Sequence, residues 1–221
     1  SPRDDRRDRG RILHEAIPHA GHAKWVAPVG RPNPVDVIEK SHEGRLQELA
    51  PLRWGRMLIS PFTFFRGTAA IMAGDLANTP TTGVRVQACG DCHMLNFGAF
   101  ATPERNIVFD INDFDETLPA PWEWDVKRLA VSYVLCARDN GLKEKHAEAA
   151  AQAIAKAYRK KMNEYSRKAI LDIWYDRIEW ESVIAGTSDP ELQKKIKQRT
   201  EKALKRTIQG HYFPKMSEQH D

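Results

Sequence analysis

Cys89-Gly90-Asp91-Cys92-His93-Met94-Leu95-Asn96-Phe97-Gly98 stands between two stretches with strand-like apolar patterning. Val84-Arg85-Val86-Gln87-Ala88 precedes it, and Asn106-Ile107-Val108-Phe109-Asp110-Ile111-Asn112-Asp113-Phe114-Asp115-Glu116 follows it. An acid, a histidine and an asparagine are thereby expected on one loop between strands. Strand ends hold such a loop rigidly, which is what fixed polar side chains need for chemistry.

Outward from this centre the chain reads as helix. Pro119-Ala120-Pro121-Trp122-Glu123-Trp124-Asp125 leads into a helix over residues 126–140, whose apolar residues Leu129, Val131, Val134, Leu135 and Ala137 spread widely around it. Asn140-Gly141 ends it. Further helices are predicted over residues 143–167, 168–185 and 189–208, the last rich in lysine, with Lys205 and Arg206 near its end. Ahead of the loop, a helix is predicted from Pro34 to Leu49, stopped by Pro51, and another over residues 68–77, capped by Ser60 or Thr63. The first ten residues alternate Arg and Asp and read as a solvated arm, followed by irregular chain anchored at Trp25-Val26. The fold class that follows is α+β and helix-dominated, with a small sheet or hairpin carrying the loop. A flexible arm over residues 1–24 is expected to precede a single domain over 25–221 with a C-terminal helical extension.

The 221 residues suffice for one good core, and an apolar fraction of 41% beside 29% charged residues is that of a globular protein. No apolar run is long enough for a membrane span. The net charge of +4 does not point to nucleic acid, and three cysteines fit a reducing cytoplasm better than a disulfide scaffold.

The residue types in the central stretch match one chemistry in order. Phosphoryl transfer from a nucleotide needs a carboxylate to orient the acceptor, then an amide oxygen and a second carboxylate to hold magnesium against the phosphates. Asp91, Asn96 and Asp113-Phe114-Asp115 supply that set. Asp110, Asp113, Asp115 and Glu116 would repel one another without a cation, so a divalent metal is expected there, although Arg66 or Arg128 could also relieve them. The same cluster would suit a metal-dependent hydrolase. Asp125, at the head of the following helix, is placed to accept hydrogen bonds from the loop's backbone. Arg53, Arg56 and Arg66, set among aromatic residues, have two readings: stems over the core with heads on carboxylates, or a guanidinium holding a phosphate near the loop.

These segments resemble the catalytic and metal-binding segments of the protein-kinase-like superfamily, in the version used by aminoglycoside and choline phosphotransferases. Four spaced motifs resemble more closely a bacterial family catalogued as domain of unknown function 2252: Ser60-Pro61-Phe62 with Phe65-Arg66-Gly67; Gly90-Asp91-Cys92-His93 with Asn96-Phe97-Gly98; residues 109–117; and Trp122-Glu123-Trp124-Asp125-Val126-Lys127-Arg128-Leu129. The kinase-like resemblance implies Asp91 as the acceptor-orienting base, His93 as a residue shaping its loop, and Asn96 and Asp113 as ligands of magnesium bound with ATP. Asp110 rivals Asp113 in that role. The glycine-rich turn and lysine that a kinase uses on the nucleotide phosphates are not evident ahead of Asp91, which implies a nucleotide-holding segment or partner chain elsewhere, or a truncated remnant of such an enzyme. The acceptor is unspecified.

Two further classes are weighed. A non-catalytic binding protein would keep the lobe and meet a partner through its basic last helix. Cys89-Gly90-Asp91-Cys92-His93 also fits covalent haem attachment, and Cys89, Cys92 and His93 could contribute to a zinc site. The flanking strands suit the first poorly and no fourth ligand is evident for the second, so neither haem nor zinc is expected. The simpler role for the cysteines is small apolar filling at strand ends.

Overall fold

The structure is a computed structural model that describes residues 3–204 except Arg105. Residues 205–208 of the predicted last helix, with Lys205 and Arg206, lie outside the described residues.

The N-terminal arm is a helix, α1 (Arg3–Ala16), with no buried residue. The arm is thus helical over these residues, with every one of them outside the core. Asp4 and Asp5 face the positive end of the helix, and Arg11 pairs with Asp8 one turn earlier, so charges rather than an apolar stripe support it. Next comes α2 (Pro34–Lys40), capped by Asn33, whose side chain accepts from the Val35 amide at 2.9 Å. The helix predicted to run on to Leu49 ends here. Pro51 does not stop a helix but sits in the first turn of one, α3 (Ala50–Met57), where its fixed φ and missing N–H cost little.

A reciprocal cap opens α4 (Pro61–Arg66): the Thr63 amide donates to Ser60 Oγ, and the Ser60 amide donates to Thr63 Oγ1 at 2.8 Å. Ser60 therefore caps this short helix and not the next one, α5 (Ala69–Leu76).

Four strands follow: β1 (Arg85–Ala88), β2 (Phe97–Ala101), β3 (Ile107–Ile111) and β4 (Leu118–Pro121). β1 pairs antiparallel with β4, Ala88 opposite Leu118 and Arg85 opposite Pro121. It does not pair with the strand expected over 106–116, which is regular only as β3. β4 escapes sequence reading because Pro119 and Pro121 mark it as non-strand, yet in a two-stranded sheet both strands are edges that tolerate proline.

Two long helices pack side by side, α6 (Glu123–Asp139) and α7 (Glu144–Tyr165), with Trp122 stacked on Tyr158 at 5.3 Å. Gly141, at φ 67°, ends the connection that turns the chain between them. The buried face of α6 differs from the apolar one expected: its buried residues are Glu123, Arg128, Ser132 and Ala137, three of them polar. The single helix predicted over 168–185 is broken into α8 (Ile170–Trp174), β5 (Ile178–Glu179) and α9 (Trp180–Ala185), and α10 (Pro190–Leu204) closes the described chain.

By internal contacts the described chain divides into two compact units. One holds the described residues up to Phe97 together with Ile111–Tyr175, and the other Gly98–Asp110 together with the described residues from Asp176 on. In the second, the sheet order is β2-β3-β5, and Phe109 stacks on Trp180 at 5.9 Å. The architecture is α+β and helix-dominated. Among the described residues no helix is long and apolar enough to cross a membrane.

Candidate functional site

The loop after β1 is fixed by side chains of α6 and by its own backbone. Asp125, in the first turn of α6, accepts the Cys89 amide at 2.7 Å through Oδ2 and the Gly90 amide at 3.1 Å through Oδ1, the role its sequence position suggests. Two turns on, Ser132 Oγ accepts the Met94 amide at 3.0 Å. Gly90 has φ 82°, and a Cβ there would meet the Glu116 carbonyl oxygen at 1.9 Å. Glycine is thus required both by the turn and by the close approach of the acidic segment.

Within the loop, the Asn96 side-chain amide donates to the Asp91 carbonyl at 2.8 Å, and the Asn96 backbone amide donates to the His93 carbonyl at 2.9 Å. His93 is buried, its Nδ1 accepting the Leu95 amide at 3.2 Å, which leaves the ring proton on Nε2. That nitrogen lies 3.4 Å from Asp91 Oδ2. The other carboxylate oxygen, Oδ1, is held by Arg128, whose Nε donates at 2.6 Å and whose Nη2 also pairs with it. Arg128 is only 2% exposed; it donates from Nη2 to the Phe65 carbonyl at 2.9 Å and lies 4.3 Å from the Phe65 ring centroid. Burial pushes Asp91 upward, but His93 and Arg128 together outweigh it, and its pKa lies below the ordinary carboxylate value. Asp91 is therefore ionised at neutral pH.

The acidic segment is joined to the loop at two points. The Asn112 amide donates to the Asn96 carbonyl at 2.9 Å, and Cys89 Sγ lies 3.7 Å from the Asp113 carbonyl oxygen. Asp113 thus follows Asn96 across a single backbone hydrogen bond. The Asp113 carboxylate accepts the Asp115 amide at 3.3 Å, and both residues are exposed. Glu116 is held above its usual range by partial burial first and then by Asp91. Asp110 belongs to the other compact unit. Among the described residues no three His, Cys, Asp or Glu side chains converge as a metal-binding group, so the four acids do not gather as one cluster. Asn96 Oδ1, the other end of the amide that donates to Asp91, and the Asp113 carboxylate are the two oxygen donors of the predicted set that this backbone joint links.

Cys89 and Cys92 are buried free thiols. The hydrogen bond from its neighbour, then burial, pushes the Cys92 thiol up, so this thiol stays protonated. Arg66 forms no ion pair among the described residues: it is exposed at the end of α4, on the wall of a cavity of about 750 Å³ shared with Arg45, Arg53 and Arg56. Arg128, in sequence one of two candidate partners for the acids, is the residue that neutralises Asp91.

Fold and loop together define the class, a helix-dominated α+β protein whose polar loop is tied to a long helix by Asp125, Arg128 and Ser132. The chain belongs to the family described as "Uncharacterized protein conserved in bacteria (DUF2252)", matched over residues 45–221, a range that contains all four spaced motifs. No curated protein and no solved structure matches it.

Proposed function

We propose that this chain carries the catalytic-loop half of a magnesium- and ATP-dependent phosphotransferase of the kinase-like type, or a remnant of one, in a cytoplasmic setting. The observation that carries the reading is the Asn112–Asn96 hydrogen bond of 2.9 Å, which sets the Asp113 carboxylate one residue from the joint with the asparagine of the loop. In this reading Asn96 Oδ1 and Asp113 hold magnesium, which when bound supplies neutralisation of phosphate charge. Asp91, ionised and fixed on both oxygens, orients an acceptor hydroxyl and takes its proton late. His93 keeps the second Asp91 oxygen in place. Asp125 and Gly90 hold the loop so that neither carboxylate must reorganise.

A second reading is favoured by one feature, the buried Arg128 on Asp91 Oδ1. A carboxylate held this firmly suits a lobe that binds a partner without turnover. Calorimetric titration of magnesium and ATP into the wild-type chain, Asn96→Ala and Asp113→Ala separates the two. Binding that either substitution abolishes, with phosphate transfer lost in Asp91→Ala, supports the phosphotransferase. Absence of binding at millimolar nucleotide would sink it and leave the binding protein.

A further inference from the structure

The segment of residues 42–67, preceding the loop, gathers four arginines on one wall. Arg45, Arg53, Arg56 and Arg66 line one cavity of about 750 Å³, within the size range of small-molecule sites. Among the described residues none of the four forms an ion pair. Arg45 and Arg53 use part of their donor sets on Ser41 and on the Gly67 carbonyl, while Arg56 and Arg66 make no side-chain hydrogen bond to any described residue. Of the two sequence readings of Arg53, Arg56 and Arg66, the one that puts their heads on carboxylates is not seen as an ion pair among the described residues. Burial first, and then the charge of Arg45, lower the pKa of Arg53, and Glu116 offsets this only in part. The same cavity wall includes His42, which is buried, and whose Nε2 has no hydrogen-bond partner among the described residues. Five nitrogen-bearing side chains thus surround one space with much of their donor capacity unused. Such a set matches the oxygens of a phosphate, which take forked guanidinium donors from several sides.

The rest of the lining says what the phosphate is attached to. Leu46, Leu49, Leu52, Met57 and Ile59 complete much of the wall, and the leucines and the isoleucine are more than half exposed. No aspartate, glutamate, asparagine or glutamine side chain is present to read the edge of a nucleotide base, and no Phe, Tyr or Trp lines it for stacking. The lining suits hydrocarbon. We propose that this cavity is a binding site for a phosphate monoester with an aliphatic body, the phosphate held by the arginines with His42 and the chain lying on the leucines. Neither Asn96 nor Asp113 lines this cavity, and the proposal does not depend on phosphotransfer at them.

The test is equilibrium binding to the full chain at low and moderate salt, with octyl phosphate below its aggregation concentration, inorganic phosphate, octanol, and vesicles of phosphatidylcholine containing phosphatidic acid. Octyl phosphate is expected to bind about tenfold or more tighter than inorganic phosphate, with octanol inert. Arg56→Gln and Arg66→Gln are each expected to weaken it about tenfold, whereas Arg138→Gln, on α6 away from the cavity, leaves it unchanged. Both target arginines are exposed, and matching thermal unfolding of the variants would exclude loss of fold. Binding of both octyl phosphate and acidic vesicles would support the site and name a lipid headgroup as a source of the ligand; octyl phosphate alone would support a soluble ester. Equal binding of octyl and inorganic phosphate, capture by vesicles with octyl phosphate inert, or indifference to both arginine substitutions would each overturn the proposal.

Discussion

Replacement of Arg128 by methionine isolates the central electrostatic contact of the loop. Methionine retains the apolar reach of the side chain but removes both donors to Asp91 and the donor to the Phe65 carbonyl. Removing one partner of a buried ion pair leaves the other charge uncompensated and costs about 3–5 kcal/mol. Because Arg128 is 2% and the Asp91 side chain 14% exposed, water can repair little of this, and the upper half of that range is expected at pH 7. The pH dependence gives the sharper check. In the wild-type chain the folded pKa of Asp91 lies below its ordinary value of 3.8, so its contribution to stability is present above that value and lost as pH falls through the lowered one. Without Arg128, burial is opposed by His93 alone and the folded pKa of Asp91 rises. The variant is therefore least handicapped in acid, where Asp91 is protonated in both proteins, and its deficit grows as pH rises through the wild-type pKa. Urea unfolding followed by tryptophan fluorescence should show the difference between the two proteins shrinking by roughly half or more between pH 7 and about pH 3.5. Adding Asp91→Asn to the methionine variant should recover about 1–3 kcal/mol at pH 7, since no charge is then stranded. A cost under about 1 kcal/mol at pH 7, or one that is the same at both pH values, would refute an ion pair that holds the loop.

Two other changes probe the same scaffold. Gly90→Ala places a Cβ against the Glu116 carbonyl at a left-handed φ, and a loss of about 3 kcal/mol or more, read as a fall in Tm, is expected; a loss near zero would mean that the acidic segment does not pass this close. Asp125→Ala strands the amides of Cys89 and Gly90 and should cost about 2–4 kcal/mol, with faster hydrogen exchange at those two amides; unchanged exchange there would contradict the cap.

Much of this loop is visible in sequence because its parts are local. Asp91, His93 and Asn96 lie within six residues, and the hydrogen bonds that close the turn follow from that spacing. Asp125 is legible for another reason: an acid in the first turn of a helix is the natural acceptor for amides of a nearby loop. What sequence did not disclose depends on long-range choices. Nothing local says that β1 prefers β4, whose two prolines argue against a strand. Nor does the α6 pattern show that Arg128 and Ser132 face inward while Val131 is exposed, since an arginine between lysine and leucine looks like the rim of a helix. Pro51 was ambiguous by its nature, because proline both ends one helix and begins another.

The disposition of charge in the first compact unit separates two kinds of arginine. Arg128 is buried, doubly bonded to one carboxylate and stacked on a ring; its energy is used inside the fold, and its removal should act first on stability. Arg56 and Arg66 are exposed, form no ion pair or side-chain hydrogen bond among the described residues, and share a cavity wall with two further arginines, where like charges repel. Neutralising one of them should leave stability unchanged or raise it slightly, by a few tenths of a kcal/mol, through relief of that repulsion. Residues kept in place at a cost to the empty protein are expected to act on something that arrives from outside. A stability gain in Arg66→Gln together with loss of octyl phosphate binding would show both halves of that argument in one protein; a loss of stability comparable to that of Arg128→Met would show instead that Arg66 is a structural arginine and that the cavity is incidental to it.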